Sequence, residues 1–158
     1  MLLSGLMIAL AVNSCKKTTQ SPIAALFTGG RWQLASVMAF NYTGNTLTSA
    51  DTLNNNCTLN QFFTFNTNFT CTYTNFDCIS QTPTSATWSL SANQLFLYAN
   101  VVCKDTTAAG SSVPFVNAQI INLGQFSLVP ETGDIQPNYS LTKQRRIVQY
   151  GFIWQTMQ

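Results

Sequence analysis

The sequence contains no histidine, and only 8% of its 158 residues are charged. Without an imidazole, neither a Ser-His-Asp nor a Cys-His catalytic arrangement can be built. The five acidic residues all fall in predicted loops or at strand ends, whereas a glycosidase needs two carboxyl groups held across a cleft. We therefore expect a protein that is not an enzyme and that uses no cofactor.

The few charges nearly cancel. Lys16 and Lys17 supply the whole net charge of +2, because the five other basic residues balance the five acidic ones. A nucleic-acid-binding surface needs a basic stripe to neutralise phosphates, so no nucleic-acid partner is expected. The chain is 46% hydrophobic and has the length of one domain, which is expected to fold around its own core as a monomer.

No charge interrupts the first twelve residues, an apolar run too short to cross a bilayer as a helix. Such a run is typical of a signal peptide, predicted at residues 1–14. Val12-Asn13-Ser14-Cys15 resembles a bacterial lipobox, whose cysteine is lipidated and becomes the new N-terminus. Acyl chains on Cys15 would anchor the protein to the outer membrane, on its periplasmic or surface face, through a tether at residues 15–25. The alternative is a buried N-terminal segment with an ordinary cysteine.

A hairpin is predicted around Asn66-Thr67-Asn68, because apolar residues alternate on both sides of this break. If Phe65 pairs with Thr70 across the turn, Cys57 faces Cys78. If Cys15 is lipidated, four cysteines remain: Cys57, Cys71, Cys78 and Cys103. They can be paired in three ways, and this register favours the pairing that joins Cys57 to Cys78.

That pairing leaves Cys71 with Cys103, a link for which the strand pattern gives no independent support. An exported chain meets an oxidising compartment, which favours disulfides. A zinc site is disfavoured, because the chain has no histidine and no C-x2-C pair. We expect two disulfides and no metal.

Short alternating apolar segments follow one short helix, which start and stop signals place at residues 22–28. In the first strand, Trp32, Leu34, Met38 and Phe40 are predicted to share a face. About eight strands and no long helix predict an antiparallel barrel or sandwich. The longer loops are predicted at 41–56, 104–114 and 130–138.

Four short motifs, taken in order, resemble a known family: GGRW at 29–32, CTLNQFFTF at 57–65, SATWSL at 85–90 and IINL at 120–123. Residues 26–128 are thereby similar to the lipocalin-like domain of Bacteroidetes envelope lipoproteins. The resemblance implies an eight-stranded up-and-down barrel over residues 26–158, with a disulfide between Cys57 and Cys78. In lipocalins an arginine of the last strand packs over the first-strand tryptophan. Here that would bring Arg145 or Arg146 onto Trp32. The alternative is that Trp32 is simply a core residue.

A small eight-stranded barrel is either filled by side chains or holds one small ligand. Polar residues among aromatic ones on the predicted inner face can orient an apolar ligand, but they also fit a filled barrel or a register shifted by one residue. The leading hypothesis is an envelope lipoprotein that binds a small apolar molecule. The alternative is a structural or interaction module whose loops contact another envelope protein or a glycan. The ligand-binding candidates are Trp32, Ser36, Phe40, Gln61, Phe63, Phe65, Tyr73, Trp88, Asn117 and Gln119.

Two triplets resemble the O-glycosylation signal of exported Bacteroidetes proteins. They are Asp51-Thr52-Leu53 and Asp105-Thr106-Thr107, both in predicted loops. Thr52 and Thr106 are therefore candidate glycosylation sites, although such triplets also arise by chance in a threonine-rich chain.

Overall fold

The computed structural model describes residues 20–53 and 56–156. Cys15, the predicted signal peptide and residues 15–19 of the predicted tether lie outside the described residues. Within them the chain forms one helix, eleven strands and the 3₁₀ turn Phe76–Cys78. The elements are α1 (Pro22–Phe27), β1 (Arg31–Thr43), β2 (Thr46–Thr52), β3 (Phe62–Phe65), β4 (Thr70–Thr74), β5 (Thr84–Leu90), β6 (Phe96–Ala99), β7 (Cys103–Lys104), β8 (Ser111–Ser112), β9 (Ala118–Leu123), β10 (Ser127–Gly133) and β11 (Gln144–Gln155).

Eight strands close into an antiparallel up-and-down barrel. Their order is β1, β3, β4, β5, β6, β9, β10 and β11, and β11 pairs back with β1 along almost its whole length. β2 is an extra strand that pairs with the C-terminal half of β1, and β7 pairs with β8 in a separate ribbon. The predicted barrel is confirmed, and the sandwich alternative is wrong. The strand that closes the barrel lies beyond the part of the chain that carries the family motifs.

The helix α1 covers one end of the barrel. The Ser21 hydroxyl caps it by accepting from the Ala24 N–H at 3.1 Å, and Pro22 occupies the first turn, where no intrahelical N–H bond is needed. Its inner face buries Ala24 and Phe27, and the Phe27 carbonyl accepts the indole N–H of Trp32. The helix was predicted one residue too long. No helix of the described residues has the length and apolarity needed to cross a membrane.

A β-bulge in β1 reverses the side chains that face the barrel interior. The register against β11 shifts between Leu34 and Ser36, after which Val37 and Ala39 are buried. The prediction that Ser36 and Phe40 face inwards is therefore wrong. The extra residue moves every later side chain to the opposite face, and the Ser36 hydroxyl packs over Gly151 on the outside.

Parts of all three predicted loops are strands. The hairpin of β1 and β2 occupies most of 41–56, the β7–β8 ribbon lies within 103–112, and β10 continues to Gly133. All seven residues of β2 are exposed, so no apolar alternation marks this strand in the sequence. Threonine, which favours extended backbone, occurs three times in it.

Aromatic side chains fill the centre of the barrel. Phe115, from the turn before β9, is completely buried and lies 4.8 Å from Phe63, 5.5 Å from Tyr73 and 5.0 Å from Tyr150, measured between ring centroids. The ring of Phe115 is stacked on Tyr73, tilted against Phe63 and edge-on to Tyr150. The middle of the barrel is therefore a packed core.

One disulfide joins Cys57 and Cys78, as predicted. The hairpin register used to predict it is wrong by one residue, because Phe65 pairs with Cys71 rather than with Thr70. The second expected disulfide is not formed, and Cys71 and Cys103 are buried free thiols. Burial raises the pKa of each thiol to about 12, so both remain protonated and unreactive at neutral pH.

Candidate ligand site at the open end of the barrel

A pocket of about 460 Å³ lies at the end of the barrel opposite α1. The end of β3 meets Thr28 beside the helix, whereas Gln61, just before β3, lines the pocket. Its volume is within the range of roughly 300–1,000 Å³ found for small-molecule sites. The lining residues are Val37, Thr52, Leu53, Asn56, Cys57, Gln61, Phe76, Asp77, Cys78 and Tyr150.

The rim of the pocket is a turn in a constrained conformation. Asn75, Asp77 and Cys78 have φ angles of 57°, 52° and 59°, the left-handed region that costs energy for residues other than glycine. The disulfide ties Cys78 to Cys57, and both cysteines line the pocket. The Asp77 carboxylate accepts from the backbone N–H and the hydroxyl of Thr106, at 3.0 and 2.6 Å. These links hold the turn over the barrel opening.

A buried amide forms the inner wall of the pocket. Gln61 is 5% exposed, and its Oε1 accepts from the Tyr73 hydroxyl at 3.3 Å. Its Nε2 donates to the Cys57 sulfur at 3.4 Å. Burial is the main reason why the pKa of Tyr73 lies well above its ordinary value, so this phenol remains a donor. The contacts satisfy the amide while one of its edges still faces the pocket.

Tyr150 contributes a second protonated phenol. It lies opposite Val37 in the β1–β11 pairing, so the two side chains line the pocket together. Burial raises the pKa of Tyr150 to about 12, the Thr132 hydrogen bond lowers it, and the nearby Asp77 carboxylate raises it. The phenol is neutral at physiological pH and adds a polar group to a wall that combines apolar and polar side chains.

Among the ten predicted ligand-binding residues, Gln61 lines this pocket. The other inward-facing candidates are at most 2% exposed and belong to the packed core rather than to the pocket wall; they are Trp32, Phe63, Phe65, Tyr73 and Trp88.

Asn117 and Gln119 do not face the interior. Ala118, between them, is completely buried, and Ile120 packs against the core, so alternation turns both neighbours outwards. Asn117 is exposed, and Gln119 is paired with Glu131 of β10. The predicted register of this strand was wrong by one residue.

Sequence reasoning missed most of the pocket. Tyr150 belongs to the alternating run Val148, Tyr150, Phe152, a signal that could have identified it. Val37 was hidden by the bulge. Phe76 and Asp77 lie in a turn outside any strand pattern, and only their position next to Cys78 brings them to the barrel opening.

The expected stacking of a last-strand arginine on Trp32 is wrong. Trp32 instead packs edge-on against Trp154, with 4.9 Å between ring centroids. The Arg145 guanidinium lies 3.6 Å from the Tyr139 ring centroid and donates to the Asp134 and Gly44 carbonyls. The reason is the antiparallel register, which pairs Trp32 with Trp154 and leaves the arginines at the other end of β11.

Arg145 and Arg146 line a second, polar groove of about 470 Å³, where the β1–β2 hairpin meets the start of β11. The Arg146 Nη1 donates to Asn41 Oδ1 at 3.5 Å. Within the described residues, no group of three or more cysteine or acidic side chains could hold a metal ion.

The two candidate glycosylation residues are exposed. Thr52 ends β2 and lines the pocket, so it is in a strand rather than a loop. Thr106 is in the loop between β7 and β8, and its hydroxyl donates to Asp77. A glycan on the Thr106 oxygen would remove this hydrogen bond.

Comparison with known proteins agrees with this geometry. No curated protein matches the chain. A family model described as a lipocalin-like domain matches residues 29–123, which extend from the glycines before β1 to the end of β9. The matched residues make up more than half of the sequence and contain six of the eight barrel strands, and the chain belongs to this family of lipocalin-like domains.

Proposed function

We propose that the protein binds a small apolar molecule in the pocket at the open end of its barrel. The observation that carries this proposal is a half-open space of about 460 Å³ whose walls combine apolar side chains with fixed polar groups. Val37, Phe76 and Leu53 offer apolar surface, while Gln61 and Tyr150 offer hydrogen bonds that orient a ligand. Membership of the lipocalin-like family is compatible with this function.

Binding can be tested with a neutral, environment-sensitive naphthylamine dye. Leu53 is 50% exposed on the pocket rim, and Leu53→Trp should block entry and abolish the increase in dye fluorescence. The matched control is Leu47→Trp, since Leu47 is 49% exposed on β2 and does not line the pocket. Equal dye binding by both variants would show that the dye binds elsewhere. Native mass spectrometry of protein from its own host should detect a bound small molecule.

The competing function is an interaction module, favoured by the burial of Phe115 in the middle of the barrel. In this case the pocket is only the space left above a packed core, and the loops contact another envelope protein or a glycan. An empty barrel in native mass spectrometry, together with no dye binding, would favour this second function.

We also propose that the protein acts at the bacterial outer membrane as a lipoprotein, by binding rather than by catalysis. The signal-like run before Cys15 supports the location, and the absence of histidine supports the lack of catalysis. Cys15→Ala should release the protein from membranes, because a chain without acyl groups has no anchor. If parent and variant remain equally in the detergent phase, the anchor is not at Cys15.

Glycosylation at Thr52 and Thr106 remains a prediction. An intact mass equal to that of the bare lipidated chain, measured on protein from the native host, would exclude it.

A further inference from the structure

We propose that the pocket prefers a ligand with a cationic, ammonium-type head group attached to its apolar body. This inference rests on the proposed binding function and specifies its ligand class. It is carried by three features of the pocket: its charge, its aromatic surfaces and the arrangement of its rim.

Among the described residues that line the pocket, Asp77 is the only charged one. Its Oδ2 atom accepts both hydrogen bonds from Thr106, and its Oδ1 atom has no hydrogen-bond partner among the described residues. The side chain is on the exposed rim. A ligand cation at the entrance can therefore pair with Oδ1 while Thr106 keeps the carboxylate in place.

Two aromatic rings lie beside this carboxylate. Phe76 and Tyr150 both line the pocket, and their ring centroids are 6.0 Å apart with an angle of 38° between the planes. Both side chains are largely buried, at 8% and 9% exposure. An ammonium group is attracted to the faces of such rings, most strongly where water is excluded. A carboxylate head group gains nothing from them.

Arg146, a cation of the last barrel strand, serves other contacts. Arg146 lies four residues before Tyr150 on β11, lines the separate polar groove and donates to Asn41. It is absent from the described lining of the pocket, whereas Asp77 belongs to that lining. The electrostatic balance at the pocket therefore favours a positive ligand. If Arg146 instead dominated, a carboxylate ligand would bind best.

Three probes with the same apolar chain can separate these outcomes: octyltrimethylammonium, octanol and octanoate. Titration calorimetry below micelle-forming concentrations should show the ammonium probe binding on the order of tenfold more tightly than octanol, with octanoate the weakest of the three. Asp77→Asn should remove most of this preference by weakening binding of the ammonium probe more than binding of octanol. Asparagine keeps an acceptor for Thr106, so the rim turn should stay folded.

Arg146→Gln is the matched control, because it removes one charge of opposite sign near the same end of the barrel. This variant should retain the preference for the ammonium probe. Equal affinity for all three probes, or a preference for octanoate that Arg146→Gln abolishes, would overturn the inference while leaving the binding function intact. Failure of every probe to bind the parent protein would overturn the proposed function itself.

Discussion

The two ends of the barrel differ in the hydrogen-bond partners of their buried polar side chains. At the end covered by α1, the polar atoms of two large aromatic residues are bonded to backbone: the indole N–H groups of Trp32 and Trp88 donate to the carbonyls of Phe27 and Asn66. At the open end, Gln61 bonds with Tyr73, and Tyr150 with Thr132, through side chains next to a pocket. At the closed end these bonds tie the rings to the backbone, whereas at the open end Gln61 and Tyr150 line the pocket.

The largest effect should come from breaking the closed end. Phe27 is completely buried and packs against Phe65 at 5.0 Å and Trp88 at 5.4 Å, between ring centroids. Phe27→Ala should lower the free energy of unfolding by about 3–5 kcal/mol, because it leaves a cavity under the helix. Urea denaturation measures this loss. Phe126→Ala, at a site 66% exposed, should change stability by less than about 0.5 kcal/mol.

Opening the rim should have the next largest effect. Replacing both Cys57 and Cys78 with serine removes a cross-link between residues 21 positions apart, which should cost about 3 kcal/mol of stability. The strained turn then loses a restraint, so dye binding should weaken as well. A reducing agent should reproduce both losses in the parent and have no effect on the variant. Full dye affinity in the variant would show that the rim needs no covalent restraint.

A double-mutant cycle can measure how much the hydrogen bond between Gln61 and Tyr73 contributes to stability at the open end. Gln61→Leu leaves the Tyr73 hydroxyl buried without its acceptor, at an expected cost of about 1–3 kcal/mol. Adding Tyr73→Phe removes the unpaired group, so the double variant should be more stable than the sum of the two single changes predicts. Additive losses, measured by denaturant unfolding, would argue that this hydrogen bond contributes little.

The smallest effect should come from the exposed charges of the polar groove. The pKa of Asp134 is lowered mainly by the backbone N–H of Arg146 and then by Lys143, whose Nζ lies 3.1 Å from Oδ1. Because the pKa of Asp134 is lowered in the folded state, its ionised carboxylate stabilises the protein at pH values above the ordinary pKa of 3.8. This contribution is lost as the pH falls below 3.8 and through the lower pKa of the folded state. Asp134→Asn should flatten the acid limb of a stability-against-pH curve by a few tenths of a kcal/mol, roughly, since the pair is exposed. An unchanged acid limb would contradict this.

The sequence predicted the closed end of the barrel better than the open end, and for a physical reason. Trp32, Phe65 and Trp88 lie in regular strands, where burial produces strict alternation that can be recognised without a structure. The open end depends on the bulge after Leu34 and on the turn at residues 75–78, which contains left-handed residues. It also depends on Phe115, which lies in the turn before β9. None of these has a period, so their positions follow only from the closed barrel and its disulfide.

A register shift of one residue is enough to reverse the prediction of which side chains face the barrel interior. A single extra residue in β1 turned Phe40 outwards and brought Val37 into the pocket. A one-residue shift likewise reversed the assignment of Asn117 and Gln119. The disulfide was predicted correctly despite a shifted hairpin register, because its cysteines lie beyond the ends of the paired strands, where the chain can adjust.

The residue that closes the floor of the barrel interior is carried by a turn, not by a strand. Phe115 precedes β9 and reaches into the middle of the molecule, where it contacts the rings of Phe63, Tyr73 and Tyr150. Strand residues are held in register by ladder hydrogen bonds on both sides, but a turn can change its sequence and length without disturbing them. The depth of the chamber is therefore an independently variable trait: a smaller residue at position 115 would extend the pocket towards Phe63, and related barrels could admit longer ligands without altering a single strand.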